Sequence, residues 1–424
     1  MTTGAAPPRT ASILAVGSEL LGTTRLDTNS LFLTGRMDAL GIATVRKACV
    51  GDGWDDLVAE IQTALERASL LVTSGGLGPT DDDRTKEAVA KVLGRRLVRD
   101  EEILSRLKER FRKRGYAMPD VNAKQADVVE GATVLVNRRG SAPGFLVEEG
   151  GRTVVLLPGV PHELKAMWDD AVAPLLARAG EPGLHRRVLK VAAMPESVVE
   201  TMIKPVYAAH PSVPITILAA PGEVQLQFAS RGTAGEAAAV LDRIEADFRR
   251  ALGDEIFGRD DDTLEGAVGG LLRAKGKTLA LAESCTGGLL AGRLTDVAGS
   301  SDYFLGAAVA YANAAKTGLA GVSAETLERY GAVSEETARE MALGARLRFG
   351  SSIGVSVTGI AGPGGGTPEK PVGTVHLALD DADGTRLHRR LATPGDRALI
   401  RRWTTSSALS LLRHHLLGTS GWRA

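Results

Sequence analysis

Short β-branched and leucine-rich runs at 12–16, 42–50 and 70–73 are separated by two longer stretches, 29–40 and 55–68, whose apolar residues recur at helical spacing. Leu57, Ile61, Ala64 and Leu65 show the pattern, three and four positions apart. The alternation predicts β-α-β-α-β. Strands joined in this way run parallel, carry helices on both faces, and present ligand sites at their carboxyl ends. Two of those ends are glycine-rich: Gly17-Ser18-Glu19 and Gly75-Gly76-Leu77-Gly78-Pro79-Thr80. A helix at 101–115 and a strand at 153–157 follow, and Pro158-Gly159-Val160-Pro161 opens another helix, so the first unit is expected to span 1–178.

A chain of 424 residues exceeds what one hydrophobic core organises, and two further units are expected. Residues 179–257 read as a small α+β module, with segments at 188–193, 196–203 and 224–228 and a helix at 234–252. Its segments are joined by Pro182, Pro205, Pro211, Pro214 and Pro221, and it holds no cluster of catalytic residue types. The third unit, 258–424, begins where Asp262 and Glu265 suit a capping box. Strands are expected at 278–282, 304–310 and 353–357 and helices at 287–296, 324–330 and 335–349. A five-glycine loop at 359–366, a hairpin of 373–379 with 386–391 and a last helix at 397–416 complete a second α/β layered domain.

Basic and acidic residues balance at 51 each, which argues against a broad electrostatic footprint for nucleic acid and leaves room only for a local basic patch. Cys49 and Cys285 form no CxxC pair, so neither a disulfide framework nor a structural zinc site is indicated, and a reducing cytoplasm fits. No apolar run approaches the roughly 20 residues of a membrane span, and 1–10 shows no signal pattern.

Chemistry concentrates at two strand ends. Ala282-Glu283-Ser284-Cys285-Thr286-Gly287-Gly288 lies where a buried strand gives way to a helix, a place for a nucleophile beside backbone N–H groups that can hold a phosphate or an oxyanion. No histidine is near in sequence. Lys316, in Tyr311-Ala312-Asn313-Ala314-Ala315-Lys316 after the next strand, is the candidate base, with the Tyr311 hydroxyl relaying its proton or orienting its amine. A cap at Ser284 and a solvated Lys316 are the bland alternatives, and Cys285 competes with Ser284 as nucleophile unless apolar burial makes it inert. In the first unit Asp81-Asp82-Asp83 follows the glycine loop, which does not match a P-loop. These carboxylates can cap a helix or hold a divalent cation beside a diphosphate.

The first motif, together with Tyr311-x-Asn313-x-x-Lys316, 357–366, 370–375 and Pro394-Gly395-Asp396-Arg397, resembles the nicotinamide-nucleotide amidase family PncC, the C-terminal domain of CinA. The resemblance implies Ser284 as nucleophile, Tyr311 and Lys316 as its assistants, and hydrolysis of nicotinamide mononucleotide without a cofactor. Thr286, Gly287, Gly288, Thr358 and Gly359 are then expected to line the substrate, with Arg397 and Arg401 as candidates for its phosphate. Gly17-Ser18-Glu19-Leu20-Leu21, Asp27-Thr28-Asn29-Ser30, 73–85, Gln125-Ala126, 142–145 and 157–161 look like the CinA N-terminal domain, which is similar to three-layer molybdopterin-binding proteins of the MoaB and MogA type. Ser74 and His162-Glu163-Leu164 depart from the usual pattern. That likeness implies metal-dependent hydrolysis of ADP-ribose, with Gly75, Gly76, Gly78 and Thr80 at the substrate and Asp82 and Asp83 at a divalent ion, Mg, Mn or Co. A cytoplasmic homodimer of pyridine-nucleotide salvage is expected, with no membrane or direct nucleic-acid partner. The alternative is a molybdopterin-like binding protein with a partner role in competence.

Overall fold

The computed structural model describes residues 9–178 and 182–421. The stretch 1–8, part of the segment read as lacking a signal, and the junction 179–181 lie outside the described residues. The described chain forms two compact units. One comprises residues up to Arg186 with Ser230–Ala239, and the other comprises Arg187–Ala229 and Val240 onward.

In the first unit a six-stranded sheet runs in the order Ala43–Val50, Thr10–Val16, Leu70–Ser74, Arg152–Leu157, Gly144–Glu149, Thr133–Leu135. The first four strands are parallel and the last two antiparallel, so the expected parallel sheet is extended by two short strands that lack a clear alternation. Alternate residues face opposite layers. Leu14, Val16 and Leu71 pack with Leu57 and Ile61 of the helix Trp54–Arg67, whereas Ile13 and Val72 pack with Leu33, Met37 and Trp168. Both faces are thereby buried, as parallel strands require. Pairing of Ala15 with Ser74 and of Ser74 with Leu157 brings three strand ends, and the glycines that follow them, to one edge.

A four-stranded sheet has the order Ile215–Ala220, Glu223–Gly232, Gly183–Ala192, Ile256–Arg259. Two elements here go beyond the sequence pattern. The segment 196–203 begins a helix, Glu196–Ala209, and Pro205 is inside it and not a joint, because Val199, Ile203 and Val206 continue one buried stripe whose burial outweighs the missing backbone donor. The proline-bounded 215–220 is an edge strand, half exposed and therefore weakly patterned.

A five-stranded sheet follows, ordered Phe304–Val309, Leu279–Glu283, Ile353–Gly359, Thr374–Asp381, Arg386–Ala392, three strands parallel and two antiparallel. Leu279 and Leu281 face the helices Leu264–Lys275, Leu289–Thr295 and Arg397–Leu417, while Ala280 and Ala282 face Met341 and Ala345 of Glu335–Phe349. Alanine on that side permits close approach: a Cβ on Gly354 would fall on the Ala342 carbonyl. The helix after Arg259 is capped by Thr263, whose side chain accepts from Gly266 N, and not by Asp262, which accepts from Arg259 N.

On the last two strands His376 Nδ1 lies 3.0 Å from His388 Nε2, and His388 Nδ1 lies 3.3 Å from Glu335 Oε2. Burial, and then the neighbouring His388, push His376 down to about 4. An unfolded histidine titrates near 6.5, so the unfolded chain binds the extra proton and stability falls as pH drops from about 6.5 through about 4. Unfolding followed against pH should show an acid-sensitive transition across that window, and His376→Gln should flatten it. An unchanged acid limb in the variant refutes the assignment.

Candidate active site

Ser284 N–H donates to the Val357 carbonyl at 2.9 Å, which fixes the serine where Leu279–Glu283 leaves the sheet. Gly287 and Gly288, with φ of 58° and 90°, then turn the chain into Leu289–Thr295. The fully buried Glu283 carboxylate accepts from the N–H groups of Gly288, Leu290 and Ala291 at 3.0, 3.2 and 2.8 Å. A carboxylate there complements the helix dipole. The row of N–H groups expected to meet a phosphate is therefore spent on the protein's own anion. The amides of Cys285 and Thr286 donate to none of the described backbone or side-chain oxygens, and the Thr286 hydroxyl is buried without a partner.

Lys316 sits in the first turns of Asn313–Ala320, a helix the sequence reading left out. Its side chain is 2% exposed, and Nζ lies 3.0 Å from Ser284 Oγ, 2.9 Å from the Ala310 carbonyl and 3.0 Å from the Tyr311 carbonyl. Burial lowers its pKa, and no carboxylate is bonded to it. Two carbonyls accept the two hydrogens of a neutral amine and leave its lone pair for the serine proton. Cys285 is buried, which pushes its thiol up to about 11 and keeps it protonated near neutrality.

Tyr311 is placed differently from the expected relay. Its ring is 59% exposed, its hydroxyl accepts from Arg397 Nη2 at 2.9 Å, and the backbone carbonyl rather than the phenol orients the lysine. Arg397 also donates to the Gly362 carbonyl at 2.9 Å, joining Tyr311 to the glycine loop. Arg401, one turn on, donates to the Thr286 carbonyl at 2.6 Å, and its buried Nε has no partner. Of the expected substrate donors, Thr358 spends its hydroxyl on the Ala332 carbonyl, Gly287 N–H bonds Ser284 O, Gly288 N–H bonds Glu283, and Gly359 is packed against Thr374 and Val375. Thr286 alone keeps an unspent side chain. Glu283 was missed as the organiser of this turn, although an acidic residue five positions before the second glycine was its signal.

In the first unit Gly75 and Gly76 have φ of 109° and 66°, and a Cβ on Gly75 would fall on the Val16 carbonyl. Thr85 holds the loop, its hydroxyl donating to Gly75 O at 3.0 Å and its N–H to Gly76 O at 3.2 Å. Asp83 Oδ2 accepts from the Thr80 N–H at 3.0 Å and from the Thr80 hydroxyl, closing a turn against which Gly78 packs. Asp82 is exposed, and a hydrogen bond from Thr80 holds its carboxyl below the usual range. Lys124 Nζ donates to the carbonyls of Thr80 and Asp83 at 3.0 and 2.6 Å. Asn29, of the Asp27-Thr28-Asn29-Ser30 motif, also reaches this loop. Its Nδ2 donates to Ser74 Oγ and to the Gly159 carbonyl, both at 2.8 Å, and since a carbonyl can only accept, Oδ1 is fixed as a buried acceptor without a donor.

Asp82 and Asp83 offer hard oxygen donors of the kind that bind Mg2+ with one or two carboxylates and the substrate's own phosphates, so they fit such an ion in part. Among the described residues the three-membered group with metal-ligand spacing is Asp381, Asp383 and His415, and Lys277 Nζ lies against both of its aspartates. That group is an ion-pair network.

The fold and these two strand-edge sites define a chain built from a molybdopterin-binding-type unit and an α/β unit with a buried serine–lysine pair. Residues 12–178 match the family model of a "Probable molybdopterin binding domain", 186–258 that of the "Damage-inducible protein CinA KH domain", and 261–416 that of the "CinA C-terminal domain". A "CinA-like protein" of Solibacter usitatus (strain Ellin6076) is 45% identical over 411 residues, covering 96% of this chain and 98% of that protein. Another "CinA-like protein", of Dictyoglomus thermophilum, is 43% identical over 96% of this chain and 98% of its own length. The crystal structure of "competence/damage inducible protein CihA" from Agrobacterium tumefaciens is 46% identical, covers 35% of this chain and 91% of that one, and has a TM-score of 0.35. The chain belongs to the CinA family of competence/damage-inducible proteins. Among the described residues no helix is long and apolar enough to cross a membrane.

Proposed function

We propose that the C-terminal site hydrolyses the carboxamide of nicotinamide mononucleotide. The observation that carries this reading is the buried Lys316 Nζ, 3.0 Å from Ser284 Oγ and unpaired with any carboxylate. Lys316 takes the serine proton as Oγ bonds to the amide carbon, and the oxygen of the tetrahedral adduct is stabilised by the free amides of Cys285 and Thr286. The C–N bond then breaks, the Lys316 proton leaves with ammonia, and water cleaves the acyl ester to give nicotinic acid mononucleotide and restore Ser284. Arg397 and Arg401 supply the positive charge for the substrate phosphate. The test is ammonia release from nicotinamide mononucleotide by the purified chain. Absence of release from a folded protein would refute the reading.

The first unit we assign to hydrolysis of the ADP-ribose diphosphate. Asp82 and Asp83 would hold a divalent ion, Mg, Mn or Co, which when bound neutralises diphosphate charge and acidifies water. The Gly75–Thr80 loop lies at the carboxyl end of its strand, where a parallel sheet presents ligand sites, and Asn29 Oδ1 offers an acceptor to a ligand hydroxyl. EDTA should stop ADP-ribose cleavage and spare deamidation. Asp83→Asn, which keeps an oxygen for Thr80 but loses the charge, should do the same. Metal-independent cleavage, or loss of both activities in a folded Asp83→Asn protein, overturns this division.

A further inference from the structure

Between the helix Glu101–Lys113 and the edge strand Thr133–Leu135 of the first unit lies a groove of about 630 Å3. Arg106, Arg110, Lys113, Arg114 and Arg138 line it, against the single carboxylate of Glu109, in a chain whose total charges cancel. Its floor is apolar: Ile103, Leu107, Val134 and Pro143. Cations in the last turn of a helix complement its dipole, which accounts for Lys113. Arg138 comes from a separate loop, and that reason does not reach it.

The loop is held in place. Asn137 Oδ1 accepts from the N–H groups of Arg139 and Gly140 at 3.0 and 2.7 Å, while its Nδ2 donates to Glu163 at 2.6 Å. From the other side the Arg110 guanidinium donates to the carbonyls of Arg139 and Gly140. Arg110 thus spends its hydrogen bonds on neutral oxygens and keeps its charge unpaired. Arg114 and Arg138 are exposed, and neither forms an ion pair among the described residues. The groove shares no residue with the glycine loop or with Asp82 and Asp83.

We propose that this groove binds a free nucleotide bearing two or more phosphates, its base on the apolar floor and its phosphates between Arg110, Arg114 and Arg138. The volume falls within the range of small-ligand sites, about 300–1,000 Å3. No aromatic side chain lines the groove, so the stacking platform that a nucleic-acid strand uses is missing, and the aliphatic floor favours a single nucleotide.

The test is calorimetric titration of the full-length protein with ADP in EDTA, using wild type, the double charge reversal Arg114→Glu/Arg138→Glu, and Lys275→Glu. Both reversed positions are exposed, and matched thermal unfolding profiles establish that the variant is folded. The reversal should weaken ADP about tenfold or more. Lys275→Glu, an exposed charge reversal outside the groove, should leave ADP affinity unchanged. Wild-type affinity in the doubly reversed protein, or an equal loss of affinity in Lys275→Glu, overturns the proposal. Inorganic pyrophosphate binding as tightly as ADP would show that the floor recognises nothing. A twelve-residue oligothymidylate displacing ADP at lower concentration than ADP itself would make the ligand a strand instead, and either result overturns the nucleotide assignment.

Discussion

Replacing Ser284 with alanine should abolish ammonia release from nicotinamide mononucleotide, with a loss of roughly 1,000-fold or more in kcat and no loss of fold. Removal of Oγ leaves Lys316 Nζ with its two carbonyl partners and opens no large cavity, since only one atom is lost. Cys285→Ala is the contrasting variant. That thiol packs with Leu281, Leu290 and Val357 and is pushed up to about 11 by burial, so its removal should cost some stability and leave most of the activity. Ammonia production and thermal unfolding measured on both proteins decide the matter. An active Ser284→Ala protein, or an inactive but folded Cys285→Ala protein, would assign the nucleophile to the wrong residue.

Lys316→Arg should be nearly as inactive as Lys316→Ala. An arginine stays charged, and a group without a lone pair cannot take the serine proton. In the wild type burial depresses the lysine, so its neutral fraction grows at a lower pH than that of an exposed lysine. The rate should therefore climb with pH along a limb lying below 10.5 and level off once the amine is deprotonated. A pH–rate profile of kcat/KM checks the direction. Appreciable activity in the arginine variant, or a wild-type rate that falls across this limb, would reduce Lys316 to an electrostatic support.

The two candidate sites were legible in the sequence to different depths. A buried apolar run followed by Ser284-Cys285-Thr286-Gly287-Gly288 marks a strand turning into a helix, and the position of Lys316 after the next strand places it at the same sheet edge. What the lysine does there was not legible. Its basicity is set by burial, and burial depends on the helix Asn313–Ala320 packing beneath the serine turn, 32 positions away along the chain. Nearness in sequence suggests the Tyr311 hydroxyl as a relay for Lys316. The chain instead carries it outward to Arg397, 86 positions later.

The sequence by itself determined the alternation of strands and helices, the glycines at the strand ends and the residue types at each edge, because these follow from local periodicity and backbone sterics. Only the tertiary structure decided which polar groups remain available. Glu283 consumes the N–H groups expected to meet the substrate, Thr358 turns its hydroxyl to Ala332, and Asp83 spends one oxygen on Thr80. Pro205 stays inside a helix for the same class of reason, since the apolar stripe around it is buried by a sheet folded from distant segments. Hydrogen-bond partners and burial are properties of elements brought together across the chain, and no spacing within one element encodes them.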